Sequence, residues 1–411
     1  MFFFKTVLCH GKYRKEGMPR TAISNPNRAN ATPTLKIAPK KFYRPELDGF
    51  RALAFLLVCF SHFDSQWTQL LPMPLSKMMN GVILFGWVGV SLFFALSGFL
   101  TTSILLGEQG AKGEFSIPKF YFRRCLRICP LYYAFLFATF LVVPWIGFGD
   151  LTWGGSVQLN TWREYGFGLL TFLQNFYFGA KGYSEIHFLN PLWSIAAEMH
   201  FYLVWPLILR RFKTPAALLR VSLALVVLSP FVKLLLSLNH TAHFVWLNSL
   251  THFDTFIYGS IFAQLHHSYS KEMQSRDFSK LAASLLGLPI ILAWFGWSQT
   301  SPGFRGPVFF FLIGLAVPGA FYLVLMRKEI QKFLSLGWLV WLGKVSYGLY
   351  VFHLLARDVA TATIHKMSTG WATEYLSLSI VPTTLLITVA LATVSFYGFE
   401  RRFLELKMKR Y

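Results

Sequence analysis

Arg51 and His62 stand eleven residues apart, separated by an apolar run from Ala52 to Phe60. At 100° per residue, eleven steps close nearly three turns, so a helix would carry both on one face about 16 Å apart along its axis. An ionisable residue inside a membrane span is costly there and marks a functional site by default. A histidine in that position could serve as a base or a nucleophile near neutral pH. The competing reading makes Arg51 an interfacial anchor paired with Asp48, and His62 a polar packing contact.

Further constellations share this character. Arg123, Arg124 and Arg127 form a basic cluster in which Arg124 and Arg127 share one helix face, and guanidinium forks bind phosphate bidentately. Ser194 and Glu198 are four apart and face together, with Glu198 about two turns inside an apolar run. A carboxylate at that depth needs a partner, and His62 is the candidate. Asp254 lies at similar depth, and Ser346, Tyr350 and His353 form a polar stripe. Ser97 sits among small residues (Gly86, Gly89, Gly98) that favour close helix approach, so packing competes there with a lining role. Buried hydrogen bonding between helices is the alternative for all of these. No His, Asp and Glu cluster has ligand spacing on one helix, so no metal is expected. The four cysteines (Cys9, Cys59, Cys125, Cys129) also lack zinc spacing and read as reduced thiols.

The elements that must position these residues are transmembrane helices. Of 411 residues, 54% are hydrophobic and 14% charged, with a mean hydropathy of +0.46. A soluble fold carries about 25% charged residues to wet its surface. The net charge of +21 would suggest nucleic-acid binding in a soluble protein, but the basic residues cluster between apolar runs. That is the positive-inside pattern, with attraction to anionic headgroups as a second effect; no nucleic-acid partner is expected. The chain is therefore expected to be all-α, a polytopic bundle of about ten spans. These run near 49–66, 81–106, 128–149, 191–209, 215–238, 244–265, 280–298, 307–326, 336–357 and 375–399. Placing each basic cluster on the cytoplasmic side lets ten spans alternate with both termini inside. A full crossing by residues 165–180 would break that alternation, so this stretch is expected to be re-entrant or interfacial, beside a protein cavity. Residues 1–44, basic and polar, read as a disordered cytoplasmic tail, and 45–411 as one membrane domain.

Taken together, five stretches in order resemble the acyltransferase-3 family of bacterial membrane acyltransferases. They are Leu47-Asp48-Gly49-Phe50-Arg51 through His62; Val90 to Phe94 through Ser97-Gly98-Phe99; and Phe122-Arg123-Arg124 through Arg127 and Pro130. The others are Leu192-Trp193-Ser194 through Glu198 and Tyr202, and Ser346-Tyr347 through Tyr350 and His353. The likeness spans about Tyr43 to Phe403. It implies a bacterial inner-membrane enzyme that moves acetyl or related acyl groups from acyl-CoA onto a hydroxyl of an extracytoplasmic acceptor, usually cell-surface carbohydrate. Arg51 with His62, and Arg124 with Arg127, match the family's Arg-x10-His and Arg-x-x-Arg patterns. His252-Phe253-Asp254 departs from the family's Arg-Phe-Asp.

The resemblance and the residue chemistry combine into one expectation. Arg124 and Arg127, with Arg123 or Arg51, hold the phosphates of the donor. His62 deprotonates the acceptor or takes the acyl group itself, with Glu198 or Asp48 fixing its tautomer. Ser194, Tyr350 and His353 line the acceptor side, with Ser97 and Trp193 as further substrate-binding candidates. The rival readings are a proton-coupled secondary transporter, in which the buried His, Glu and Asp relay protons, and a scaffold without catalysis.

Overall fold

The computed structural model describes residues 43–63, 68, 71–142, 155–294, 305–367 and 373–409, and among them the chain is helical without a strand. The expected tail falls outside the described residues apart from Tyr43 and Arg44, and so does Cys9. Pro45–Tyr411 form one unit.

Local signals set the helix limits. Helix α1 (Pro45–Ser61) opens on a proline, whose fixed φ suits a first turn. Helix α2 (Val88–Lys112) stops at Gly113, where φ is 79°. Ser116 caps α3 (Ile117–Phe137) by accepting from the Lys119 N–H, with Pro118 in the first turn. Helices α4 (Gly155–Thr171) and α5 (Gln174–Lys181) meet at Phe172, which sits at φ 58°. Helix α6 (Leu192–Arg211) precedes α7 (Pro215–Asn239), which Thr214 caps through the Ala217 N–H. Then come α8 (Ser249–Ser275), α9 (Ser279–Trp294), α10 (Arg305–Met326), α11 (Gly337–Lys344), α12 (Ser346–Met367) and α13 (Thr373–Ser395).

Six stretches among the described residues are long and apolar enough to cross a bilayer: Val88–Lys112, Ile117–Val142, His187–Arg211, Pro215–Asn239, Val308–Met326 and Ser379–Leu406. A seventh is reached if α11 and α12, bent by 76° at their junction, count as one broken span. Helices also stand at the three remaining expected positions, but with a different character. Helix α1 has 17 residues, and α9 has 16 described residues. Helix α8 is long enough, yet its run is interrupted by buried His252, Asp254 and Gln264. A helix enclosed by protein need not be apolar all round, because its neighbours satisfy its polar groups.

Outward-facing Leu203 and Leu207 on α6, Leu228, Phe231 and Leu235 on α7, and Leu386 and Val394 on α13 are exposed. Such apolar faces are too extensive for water and match lipid. Inside, α2 and α8 cross backbone to backbone. A Cβ on Gly98 would stand 1.9 Å from the Phe256 carbonyl oxygen, and one on Gly259 1.9 Å from that of Ala95. Small residues let the helices approach this closely. The packing role expected for the second span is therefore present at Gly98, which holds α2 beside α8 and fixes where its next-door neighbour Ser97 points.

Residues 165–180 do not form one straight crossing. The Phe172 turn splits them, and the Tyr132 and Tyr133 hydroxyls of α3 donate to the Leu169 and Leu170 carbonyls on its near side, at 2.7 and 2.8 Å.

Candidate functional site

Five helices enclose a cavity of ≈ 700 Å³ of empty space, counting its open mouth. Helix α1 contributes Arg51; α2 contributes Phe93, Phe94 and Ser97; α3 contributes Arg124, Arg127 and Ile128. Helix α6 adds Ser194, Glu198 and Tyr202, and α12 adds Ser346, Tyr347 and Tyr350. Sequence segments up to 299 residues apart (Arg51 and Tyr350) thus meet on one wall, which no single helix could supply.

The cavity is electropositive, with three guanidinium groups against the one carboxylate of Glu198. Arg51 is paired with Asp48 at 2.6 Å. Arg124 donates to the Thr101 hydroxyl at 2.9 Å and the Tyr202 hydroxyl at 3.3 Å, and its guanidinium lies 4.4 Å from the Tyr202 ring centroid. Among the described residues Arg127 has neither a hydrogen-bond nor an ion-pair partner. An unpaired arginine facing a cavity beside a second one is a ready phosphate fork.

Glu198 accepts hydrogen bonds from the Ser97 and Tyr202 hydroxyls. Its partners are therefore these two and the nearby Arg124, not His62. Asp48 likewise serves Arg51. The structure brings neither carboxylate to the imidazole, and the expected carboxylate–histidine contact is absent among the described residues. The reason is local: His62 sits just past the end of α1, where its Nδ1 meets the Val58 carbonyl at 2.8 Å. A carbonyl only accepts, so Nδ1 carries the hydrogen and Nε2 keeps its lone pair. The helix itself sets the tautomer that a carboxylate was expected to set.

From Ser194 and Tyr350 in the cavity wall the polar residues continue in a row. The Tyr350 hydroxyl and Ser194 Oγ are 2.6 Å apart and lie 3.3 and 3.0 Å from the Pro191 carbonyl, so one hydroxyl donates to the other, which donates to the carbonyl. The His353 ring centroid lies 5.5 Å from that of Tyr350 and 5.0 Å from that of His62. Arg357, paired with Asp358 at 3.0 Å, donates to the His62 backbone carbonyl at 2.9 Å.

Of the residues expected from sequence, Arg51, Ser97, Arg124, Arg127, Ser194, Glu198 and Tyr350 share the cavity. His62 and His353 stand behind it, in ring contact with each other. Two lie elsewhere. Arg123 points to the neighbouring groove and pairs with Glu108 at 2.6 Å, since it is one residue, and so about 100°, from Arg124 on the helix. Trp193 packs among Phe94, Trp246 and His252 instead of lining the cavity.

Sequence reasoning also missed three partners. Tyr202 and Thr101 hold Glu198 and Arg124. Lys233 forms a fully buried ion pair with Asp254 at 2.5 Å, with Ser229 donating to the same carboxylate at 2.7 Å. Its ammonium lies 4.2 Å from the Phe310 ring centroid. A lysine inside the apolar run 215–238 was the available signal, and the depth argument applied to Asp254 applies equally to it. It supplies a cation beside Asp254, two residues along the chain from His252.

This helical bundle, with arginines and a Glu–Tyr–Ser cluster around one cavity, belongs to the acyltransferase-3 family, whose acyltransferase domain matches residues 44–397. Among its relatives, the peptidoglycan O-acetyltransferase OatA of Listeria monocytogenes is 27% identical over 333 residues, covering 76% of this chain and 49% of that protein. An O-acetyltransferase of Staphylococcus aureus, provisionally so named, is 26% identical over 331 residues, covering 76% of this chain and 50% of its own length. A Bacillus subtilis protein provisionally named as peptidoglycan O-acetyltransferase YrhL is 34% identical over 173 residues, 41% of this chain and 24% of that one. Matches to these relatives thus span half of their length or less. No solved structure matches the chain.

Proposed function

We propose that the chain is a membrane O-acyltransferase that moves an acetyl group from acetyl-CoA, entering from the cytoplasm, to a hydroxyl of an extracytoplasmic carbohydrate. The observation that carries this reading is the convergence of Arg51, Arg124 and Arg127 on one cavity whose wall residue Tyr350 is in ring contact with His353, which in turn is in ring contact with His62. Phosphates of the donor sit against Arg124 and Arg127, and its pantetheine arm reaches toward Ser194 and Tyr350. His62 Nε2, held as the free lone pair, takes the proton of the acceptor hydroxyl. The relatives named as peptidoglycan O-acetyltransferases support acetyl as the group and a glycan as the acceptor.

The same reading includes the topology. Ten helical spans alternate so that both termini and the basic clusters face the cytoplasm of a bacterial inner membrane. Residues 1–44 form a basic tail, and the α4–α5 turn is the re-entrant element flanking the site. The test is transfer of label from [acetyl-14C]acetyl-CoA to isolated peptidoglycan or capsular polysaccharide by the purified full chain in lipid nanodiscs. Label in alkali-labile ester on the glycan supports the proposal; label retained in acetyl-CoA with every acceptor, and no CoA release, opposes it.

A further inference from the structure

Two imidazoles stand together beyond the cavity, and one of them has an orphaned atom. His353 is 1% exposed, and its Nδ1 meets the Tyr350 carbonyl at 2.6 Å. Its Nε2 is buried with no hydrogen-bond partner among the described residues. Buried polar atoms are paired in the great majority of cases, and an orphan needs an explanation. His62 repeats the arrangement, with Nδ1 tied to the Val58 carbonyl. Each ring therefore has its Nδ1–H satisfied within its own helix and only the Nε2 lone pair left for chemistry. The rings are 5.0 Å apart between centroids at 65°. Two lone pairs cannot hydrogen-bond to each other, and in the neutral pair the rings share contact without a hydrogen bond; a proton on His62 Nε2 would set a donor within ring contact of the His353 lone pair.

We infer that His353 is the proton-sharing partner of His62, holding by its Nε2 the proton that His62 takes from the acceptor. This inference rests on the acyl transfer proposed above. As the acceptor oxygen bonds to the thioester carbonyl carbon, its proton passes to His62 Nε2. The carbon–sulfur bond breaks and leaves the thiolate of CoA. The proton, shared meanwhile between His62 and His353, goes to that thiolate, so ester and free thiol leave and both rings end neutral. His353 is placed for this task because it is in ring contact with both His62 and Tyr350, which lines the donor cavity. It is a positioning residue acting through His62. The other titratable groups close to the pair are Tyr350, Arg357 with its partner Asp358, and the buried thiol of Cys59. No carboxylate contacts either ring among the described residues, which leaves the second imidazole as the group to take up the charge.

The experiment follows CoA release by the purified full chain for wild type, His353→Gln and His353→Ala, with and without added imidazole. The expected result is an unchanged KM for acetyl-CoA with kcat lowered about a hundredfold in both variants. Imidazole should restore about tenfold to His353→Ala and nothing to a His353→Ala/His62→Ala double variant. A kcat within about threefold of wild type, or a loss that imidazole does not reverse, overturns the inference while leaving the acyltransferase reading intact. Absence of CoA release from wild type would instead remove that reading, and this inference with it. A measurement without turnover guards against misfolded variants. In 15N-histidine solid-state spectra of wild type, acidification should shift the Nε2 signals of His62 and His353 together; separate titration overturns the pairing.

Discussion

The Tyr350 hydroxyl and Ser194 Oγ stand 2.6 Å apart beside the Pro191 carbonyl, tying α12 to α6 in the cavity wall. Two residues 156 positions apart in the chain thus make one polar unit. Removing either hydroxyl breaks the same unit, so the effects should not add. Tyr350→Phe and Ser194→Ala should each cost about 1 kcal/mol, and the double variant about the same as one of them. Thermal denaturation in detergent provides the double-mutant cycle. Additive losses would show that the pair is not coupled.

The arginines should separate by what else each one does. Among the described residues Arg127 has no hydrogen-bond or ion-pair partner to lose, so Arg127→Ala should raise the KM for acetyl-CoA about tenfold, worth about 1.4 kcal/mol, with little change in thermal stability. Arg124→Ala should raise KM and also lower stability, because Thr101, Tyr202 and Glu198 lose their cation. Arg123→Ala should leave KM unchanged, since its partner Glu108 lies in another groove. Steady-state kinetics beside melting curves resolve all three.

Lys233 and Asp254 are 1% and 0% exposed at the side chain. Breaking such a pair leaves an uncompensated buried charge. Lys233→Met or Asp254→Asn alone should therefore destabilise by about 3 to 5 kcal/mol, and the double variant by clearly less. Detergent melting temperatures of the three variants decide it. A double variant as unstable as the sum would refute the pairing.

The α2–α8 crossing leaves no room at Gly98, where a Cβ would lie 1.9 Å from a backbone oxygen. Gly98→Leu should prevent the two helices from docking, with loss of folded protein in size-exclusion chromatography. Gly107→Leu on the same helix meets open space and should be tolerated.

The helical class, and a helix at each of the ten expected positions, were legible in the sequence because lipid imposes length and apolarity on any segment that faces it. The same rule made α8 deceptive. Read as one more span, it is a helix whose solvent is largely other protein, so His252, Asp254 and Gln264 are tolerated on it. Seven residues singled out by type and motif spacing, which the sequence divided between donor, catalytic and acceptor roles, line one cavity. What could not be read was which partner each would choose. Glu198 was assigned to His62 because both were buried and ionisable. The fold instead gives Glu198 the hydroxyls of Ser97, across the bundle, and Tyr202, one turn on, and gives His62 the end of its own helix and His353. Partner choice depends on helix rotation, which motif spacing within single helices does not contain. Arg123 and Trp193 were misjudged for the same reason.

The central claim is that His62 takes the acceptor's proton beside a donor cavity lined by arginine. The most direct measurement is acetyl-CoA-dependent CoA release by purified wild type and His62→Ala, at matched folding and saturating donor. The account expects wild type to release CoA faster when a glycan acceptor is added. It expects His62→Ala to lose about a hundredfold or more in kcat, with KM for acetyl-CoA unchanged. Equal kcat in the two proteins, with acceptor present, would contradict it.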